Sequence, residues 1–368
     1  MHDQIPCLDL TRQHQQLRAE MLKAFEQVYD SASFSAGIFI EEFERAFALY
    51  CGTQYSAGVS SGTAALHLGM MALGVGKGDE VIVPANTFIA TVNSISYTGA
   101  TPVFVDCDPH TWQIDVKKIE EKITARTKAI AGVHLYGQPF DVDAVLALGA
   151  KNNIHLLEDA AHAHGARYKA KRVGGLGAVG CFSFYPSKNL GACGEGGGVV
   201  TNDLSLHNKI VSLRNHGGPI KYTHNEIGYN YRMGALEAAS VRVKLNHLDR
   251  WNERRRTIAA RYLLEIANPA ITLQRQPPWA ASAFHLFVVT TPNKEALVKH
   301  LAQHNIIADF HYPVPCHLQK AYAHLGHRPG DFPNAEYLAA HCVSIPMFPE
   351  LTDVEVTKVI EVMNAYTE

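Results

Sequence analysis

Short apolar runs alternate with helical patterns from about Gly52 to Asn202. Tyr55–Val59 reads as a strand, Ser60-Ser-Gly-Thr63 as a turn and Ala64–Leu73 as a helix. Glu80–Pro84 reads as a strand, Thr87–Tyr97 as a helix and Pro102–Val105 as a strand again. Lys128–Leu135 and Ile154–Glu158 are further strands, separated by a helix near Asp143–Ala150. Continuous apolar strands between helices predict an α/β fold with a mainly parallel sheet covered on both faces. Cys181–Phe184 and Gly198–Thr201 follow with no room for a helix between them. That spacing predicts some antiparallel pairing late in the sheet.

From Asp203 the pattern turns helical, and Met233–Ile266 reads as one long helix rich in Ala, Leu and Arg. A Pro-rich stretch, Gln274–Pro278, comes next. Ser282–Thr290, Glu295–Gln303, Ile306–Phe310, Cys342–Pro346 and Asp353–Tyr366 then predict a second, smaller α/β unit. The expected division is a large domain over 1–250, with an N-terminal helical segment, and a smaller one over 251–368.

The 368 residues are enough for such a pair, and 47% hydrophobic with 18% charged residues is a globular composition. A net charge of -2 without a basic stripe argues against nucleic acid as a partner. No apolar run reaches membrane-spanning length, and the first residues lack a signal-peptide pattern. Seven Cys without a CxxC pair argue against a disulfide framework, so a cytoplasmic location is expected. His162-Ala-His164 and His311 with His317 raise the question of a metal, but no HExxH or structural-zinc spacing occurs, and none is expected.

Chemistry concentrates where strands end, which is where ligands bind in open α/β sheets. Lys188 follows an aromatic strand and a Pro turn and precedes a Gly-rich segment. Alone it reads as a solvated loop lysine. Asp159, however, closes another apolar strand, where a carboxylate is costly without a partner. Together the two suit an aromatic aldehyde cofactor held by the lysine as a Schiff base, with its protonated ring nitrogen against the carboxylate. Asp159 could instead cap a helix starting at Ala160. Gly62 and Thr63 lie between strand and helix, where close backbone approach, a helix cap by Thr63 and the helix dipole suit a phosphate. Ser183 could add a hydroxyl. Phe88 could stack on a flat ring or sit in the core. Gly175-Leu-Gly-Ala-Val-Gly180 matches GxGxxG but leads into a strand pattern, so a dinucleotide site is not expected there.

These segments, in this order, resemble the DegT/DnrJ/StrS family of nucleotide-sugar aminotransferases. The resemblance rests on Ser61-Gly-Thr63, Gly78–Phe88, His134-Leu-Tyr-Gly-Gln-Pro139, Glu158-Asp-Ala-Ala161, Ser183–Gly191, Gly228-Tyr-Asn-Tyr-Arg232 and His311-Tyr-Pro313. It implies fold type I, with a mainly parallel seven-stranded sheet between helices and a smaller C-terminal α/β domain. It also implies pyridoxal 5'-phosphate as cofactor, with pyridoxamine 5'-phosphate as its aminated form. By resemblance Lys188 is the catalytic lysine and Asp159 the partner of the ring nitrogen. Gly62, Thr63 and Ser183 contact the phosphate, Phe88 stacks on the ring, and His162 bonds its phenolic oxygen. Asn230 reaches the phosphate of a neighbouring subunit, implying a homodimer with shared sites.

The implied reaction moves an amino group from L-glutamate to a nucleotide-linked keto-sugar. His311, Tyr312 and Tyr185 are the expected substrate contacts. Tyr185–Gly191 and His311–Gln319 are most similar to enzymes acting on a dTDP-3-keto-6-deoxyhexose. Asn230–Met233 departs from that group, which keeps a 4-keto sugar open. A pyridoxamine-dependent dehydratase would carry His in place of Lys188, and a non-catalytic sensor would carry a nucleic-acid module.

Overall fold

The computed structural model describes residues 4–218, 220 and 222–367. Two helices, α1 (Leu10–Ser31) and α2 (Ile38–Cys51), precede the first strand. Then come β1 (Tyr55–Val59), α3 (Gly62–Ala72), β2 (Glu80–Pro84), α4 (Ile89–Tyr97) and β3 (Thr101–Val105). They are followed by α5 (Val116–Glu120), β4 (Thr127–Val133), α6 (Val142–Asn152) and β5 (His155–Asp159). A hairpin of β6 (Arg167–Tyr168) and β7 (Lys171–Arg172) leads to β8 (Val179–Ser183) and β9 (Gly197–Thr201). These strands, the hairpin excepted, form a seven-stranded sheet in the order β1-β9-β8-β5-β4-β2-β3. β3, β2, β4, β5 and β8 run parallel, and β9 is antiparallel to both β8 and β1. The late antiparallel turn expected from the spacing is therefore present. Residues 175–178 form an irregular bend feeding β8, whose first residues are Val179 and Gly180, so the segment opens a strand and not a helix.

The register at the middle of the sheet matters most for the site. Asp159 pairs with Cys181, so β5 and β8 end side by side, and Ser183 and Lys188 follow directly. α3 is apolar on all sides because it is enclosed: it packs on β8 and β9 and against α4 and α7 (Leu204–Arg214). Its N-terminus consequently meets the end of β8.

The expected single helix over Met233–Ile266 is two, α8 (Ala235–Leu245) and α9 (Leu248–Glu265). The break at Asn246–His247 has no Gly or Pro, so no residue announced it. After β10 (Thr272–Leu273) and β11 (Ala280–Ala281), the expected strand Ser282–Thr290 shrinks to β12 (Phe287–Thr290). Phe284 there has φ 41°, which interrupts an extended run. Ile306–Phe310 is not a strand either: it makes only bridges, Ile306 to Ile5 and Asp309 to Ser344. α10 (Lys294–Gln303), α11 (Pro333–His341), β13 (Cys342–Ile345) and α12 (Asp353–Ala365) complete the chain. A second sheet, β10-β12-β13, shares a core with α10, α12, Ile258, Ala259 and Tyr262 of α9, and Ile266 just past its end. Among the described residues no helix is long and apolar enough to cross a membrane.

Candidate active site

The strand ends open onto a cavity of about 340 Å³. It is lined by Gly62, Thr63, Phe88, Asp159, His162, Ser183, Tyr185, Lys188, His311 and Tyr312, all of them singled out from the sequence. Asn230 is the exception: it is exposed and outside this cavity, beside Asn215. A more open groove of about 760 Å³, between Tyr50, Asp143, Lys169 and Arg172, holds none of these residues.

Lys188 sits in a turn closed by its own N–H to the Tyr185 carbonyl at 2.9 Å. Burial pushes its ammonium down to about 8, and the charge of Asp159 pulls it partly back. An amine so placed loses its proton readily near neutral pH, as a nucleophile or base must.

Asp159 is buried at the end of β5. Its Oδ2 accepts from Thr91 Oγ1 at 2.7 Å, and its Oδ1 from the Ala161 N–H at 3.1 Å. Thr87 Oγ1 in turn lies 2.9 Å from Thr91 Oγ1. No helix follows at Ala160, so the capping alternative fails; the bond to Ala161 closes a turn and coexists with the cavity-facing position. Burial raises the carboxyl above its ordinary value; Thr91, Ala161 and the charge of Lys188 work against that rise. A cation entering the cavity would restore the ionised form.

His162 Nδ1 accepts the Tyr136 N–H at 3.3 Å. The proton therefore sits on Nε2, which lies 3.4 Å from the Tyr312 hydroxyl. Burial holds this imidazole well below its ordinary value, so it is a neutral donor at pH 7. Burial also pushes the Tyr312 phenol far up, with Asp159 adding to the shift, so that hydroxyl keeps its proton.

Phe88 is not a core residue. It is 48% exposed, at the N-cap of α4, and its ring centroid lies 5.1 Å from that of Tyr312. The expected helix from Thr87 accordingly starts at Ile89. Thr63 does not cap α3 either: Ser61 does, its Oγ accepting from the Ala64 N–H at 3.1 Å. Gly62 is needed for closeness. A Cβ there would lie 2.5 Å from the Ser183 Cβ, so any side chain would push α3 off the end of β8. The free N–H groups of α3, beside Thr63 and Ser183, make an anion cradle at one end of the cavity.

His311 binds Ser344 Oγ through Nδ1 at 2.8 Å, and its carbonyl accepts from the Tyr136 hydroxyl. Thr91, Tyr136, Ser61 and His285 were not singled out from the sequence. Thr87 and Thr91, four residues apart in the otherwise apolar run that leads into α4, were a legible signal for the first. Ser61 before Gly62 was a legible helix cap, whereas Tyr136 and His285 act through contacts distant in the chain.

The cavity thus joins an anion cradle, a buried carboxylate short of a cation, an easily deprotonated amine and an exposed aromatic face. The chain is 46% identical, over 98% of its length and 99% of the relative's, to the dTDP-3-amino-3,6-dideoxy-alpha-D-galactopyranose transaminase of Aneurinibacillus thermoaerophilus. It is 43% identical to the dTDP-3-amino-3,4,6-trideoxy-alpha-D-glucose transaminase of Streptomyces venezuelae, covering 99% of this chain and 96% of that one. Among solved structures it matches DesV of S. venezuelae, in complex with a ketimine intermediate, at a TM-score of 0.96 and 44% identity, covering 98% of both chains. It matches NtdA of Bacillus subtilis, with bound cofactor PMP, at 0.87 and 30% identity, covering 94% of this chain and 80% of that one. The DegT/DnrJ/EryC1/StrS aminotransferase family model spans residues 15–364, and the chain belongs to that family.

Proposed function

We propose that this protein moves an amino group from L-glutamate to C3 of a dTDP-linked 3-keto-6-deoxyhexose. One observation carries the reading: Lys188 and Asp159 face the same cavity, each altering the other's ionisation. The names of the S. venezuelae and A. thermoaerophilus relatives, both with the amine at C3 of a dTDP sugar, support C3 over C4.

The residues present fit pyridoxal phosphate. The cradle of Gly62, Thr63 and Ser183 suits its phosphate, and the undersatisfied Asp159 suits its ring nitrogen. Phe88 offers a face for the ring, and the Nε2–H of His162 a donor for its phenolic oxygen. When bound, the cofactor supplies an electron sink that stabilises negative charge on the reacting carbon. Asp159 keeps that sink effective by holding the ring nitrogen protonated. Lys188 would hold the aldehyde, and its amine, when free, would be placed to hold and move a proton at the reacting carbon. Tyr312, His311 and the half-exposed Tyr185 line the same cavity and are the proposed substrate contacts. Asn230, exposed and outside the lining of its own cavity, is assigned to the cradle of a second copy, so that a homodimer would share its sites.

Lys188→Ala tests the reading. It should remove the near-visible absorbance of the bound cofactor and lower turnover by about 10⁴-fold or more. Normal absorbance and turnover in that variant would defeat it. A set of dTDP- and UDP-linked 3-keto and 4-keto sugars, with products identified by mass and NMR, tests the substrate.

A further inference from the structure

We infer that His285 is a positioning residue for Lys188: its bare Nε2 accepts a hydrogen bond from the amine and holds it against the cavity wall. The inference rests on Lys188 being the reacting amine. Its geometry is independent of that role.

His285 Nε2 lies 3.5 Å from Lys188 Nζ. The direction of the contact follows from the other side of the ring. Asn189 Nδ2 donates to Asn252 Oδ1 at 3.0 Å and to the Ala283 carbonyl at 2.9 Å. Its Oδ1 is therefore the atom facing His285 Nδ1 at 3.3 Å. Nδ1 must donate, which leaves a lone pair on Nε2 pointing at Lys188.

The backbone at His285 is held for this purpose from several sides. Phe284 sits at φ 41°, a left-handed position that a bulky residue adopts only when its surroundings enforce it. The Ser282 hydroxyl accepts its N–H at 3.0 Å. From α9, the buried Arg255 donates to the carbonyls of Phe284 at 3.1 Å, His285 at 3.4 Å and Met347 at 2.8 Å. Gly137 closes the other side: a Cβ there would meet the His285 nitrogen at 3.0 Å. The ring itself packs on His162, with centroids 4.5 Å apart.

The titratable and charged groups facing it are Lys188 after β8, His162 after β5, His311 before β13 and Arg255 on α9. Burial, followed by the Lys188 charge, holds this imidazole well below its ordinary value, so it stays an acceptor rather than a competing cation.

The test uses full-length protein loaded with pyridoxamine 5'-phosphate, in which Lys188 is a free amine. Histidine ¹⁵N NMR of the unmutated protein should give His285 protonated on Nδ1 and bare on Nε2; a proton on Nε2 overturns the inference. The pH dependence of Lys188 acetylation, followed by peptide mass spectrometry, gives the second readout. His285→Phe should lower the apparent pKa of Lys188 by about one pH unit, because the ammonium loses an acceptor, and His285→Gln should restore it. Turnover should fall ~10-fold or more in the Phe variant with KM for the sugar unchanged. An unaltered Lys188 titration in folded His285→Phe overturns the inference. Borohydride fixation of pyridoxal phosphate to a residue other than Lys188 would instead defeat the underlying reading.

Discussion

Glu158 and Asp159 are neighbours on one strand, both buried, and their chemistry is opposite. Glu158 accepts from the N–H groups of Gly174, Leu176 and Gly177, each at 2.7 Å, and from His134 Nε2 at 3.0 Å. Burial would raise its pKa, but His134 and these backbone donors outweigh it and hold the carboxyl below its ordinary value. Asp159, one residue on and on the other face of the sheet, has Thr91 and Ala161, and its carboxyl is raised. Equal burial with unequal satisfaction separates a carboxylate that serves the fold from one that awaits a ligand. Glu158 is complete within the chain, whereas Asp159 is completed by what the cavity binds.

Glu158→Ala should have the largest effect. It leaves three backbone donors and His134 unpaired in the interior, and should cost about 3–5 kcal/mol in denaturant unfolding. The stability Glu158 supplies is present above its unfolded value near 4.5 and lost as pH falls through the lower folded value.

Asp159→Asn should lower turnover by ~10²–10³-fold, through loss of the charge proposed to keep the ring nitrogen protonated. In the cofactor-free protein at pH 7 it should not destabilise at all. The folded pKa of Asp159 lies above the unfolded one, so its ionised form is a burden above that window. Loss of stability equal to that in Glu158→Ala would erase the contrast.

Lys188→Met extends the comparison to a cation. With the amine brought from 10.5 to about 8, the folded protein holds fewer protons than the unfolded chain between those values. The penalty is full below pH 8 and fades toward pH 10.5. Met should therefore stabilise the cofactor-free protein at pH 7, by up to about 3 kcal/mol, and by little at pH 10.5. Thermal melts at the two pH values check it.

Gly62→Ala should be the mildest. Moving α3 away from Ser183 should weaken cofactor binding ~10-fold by fluorescence titration, with the sheet intact.

Much of this was legible in the chain. Parallel strands announce themselves as apolar runs, and a charged residue closing such a run has a local signature, so Asp159 and Lys188 stood out. Glu158 shares that segment, yet its partners lie in a turn whose approach no local pattern encodes. His285 was hidden inside a run that reads as a strand, because the left-handed Phe284 before it is imposed by Arg255 and Gly137 from distant segments. The split between α8 and α9 escaped for a related reason: tertiary packing, and no helix-breaking residue, ends the first.

The strand order has a consequence for how the protein is made. β1 leaves the ribosome before the other strands, but its ladder partner, β9, is the last strand of that sheet to emerge. Until residues 197–201 arrive, the segment proposed to grip phosphate dangles from an unzipped border while β2, β4 and β5 can already assemble. Cofactor capture is consequently a late event in biogenesis, and truncated nascent chains should be unable to retain the vitamin derivative.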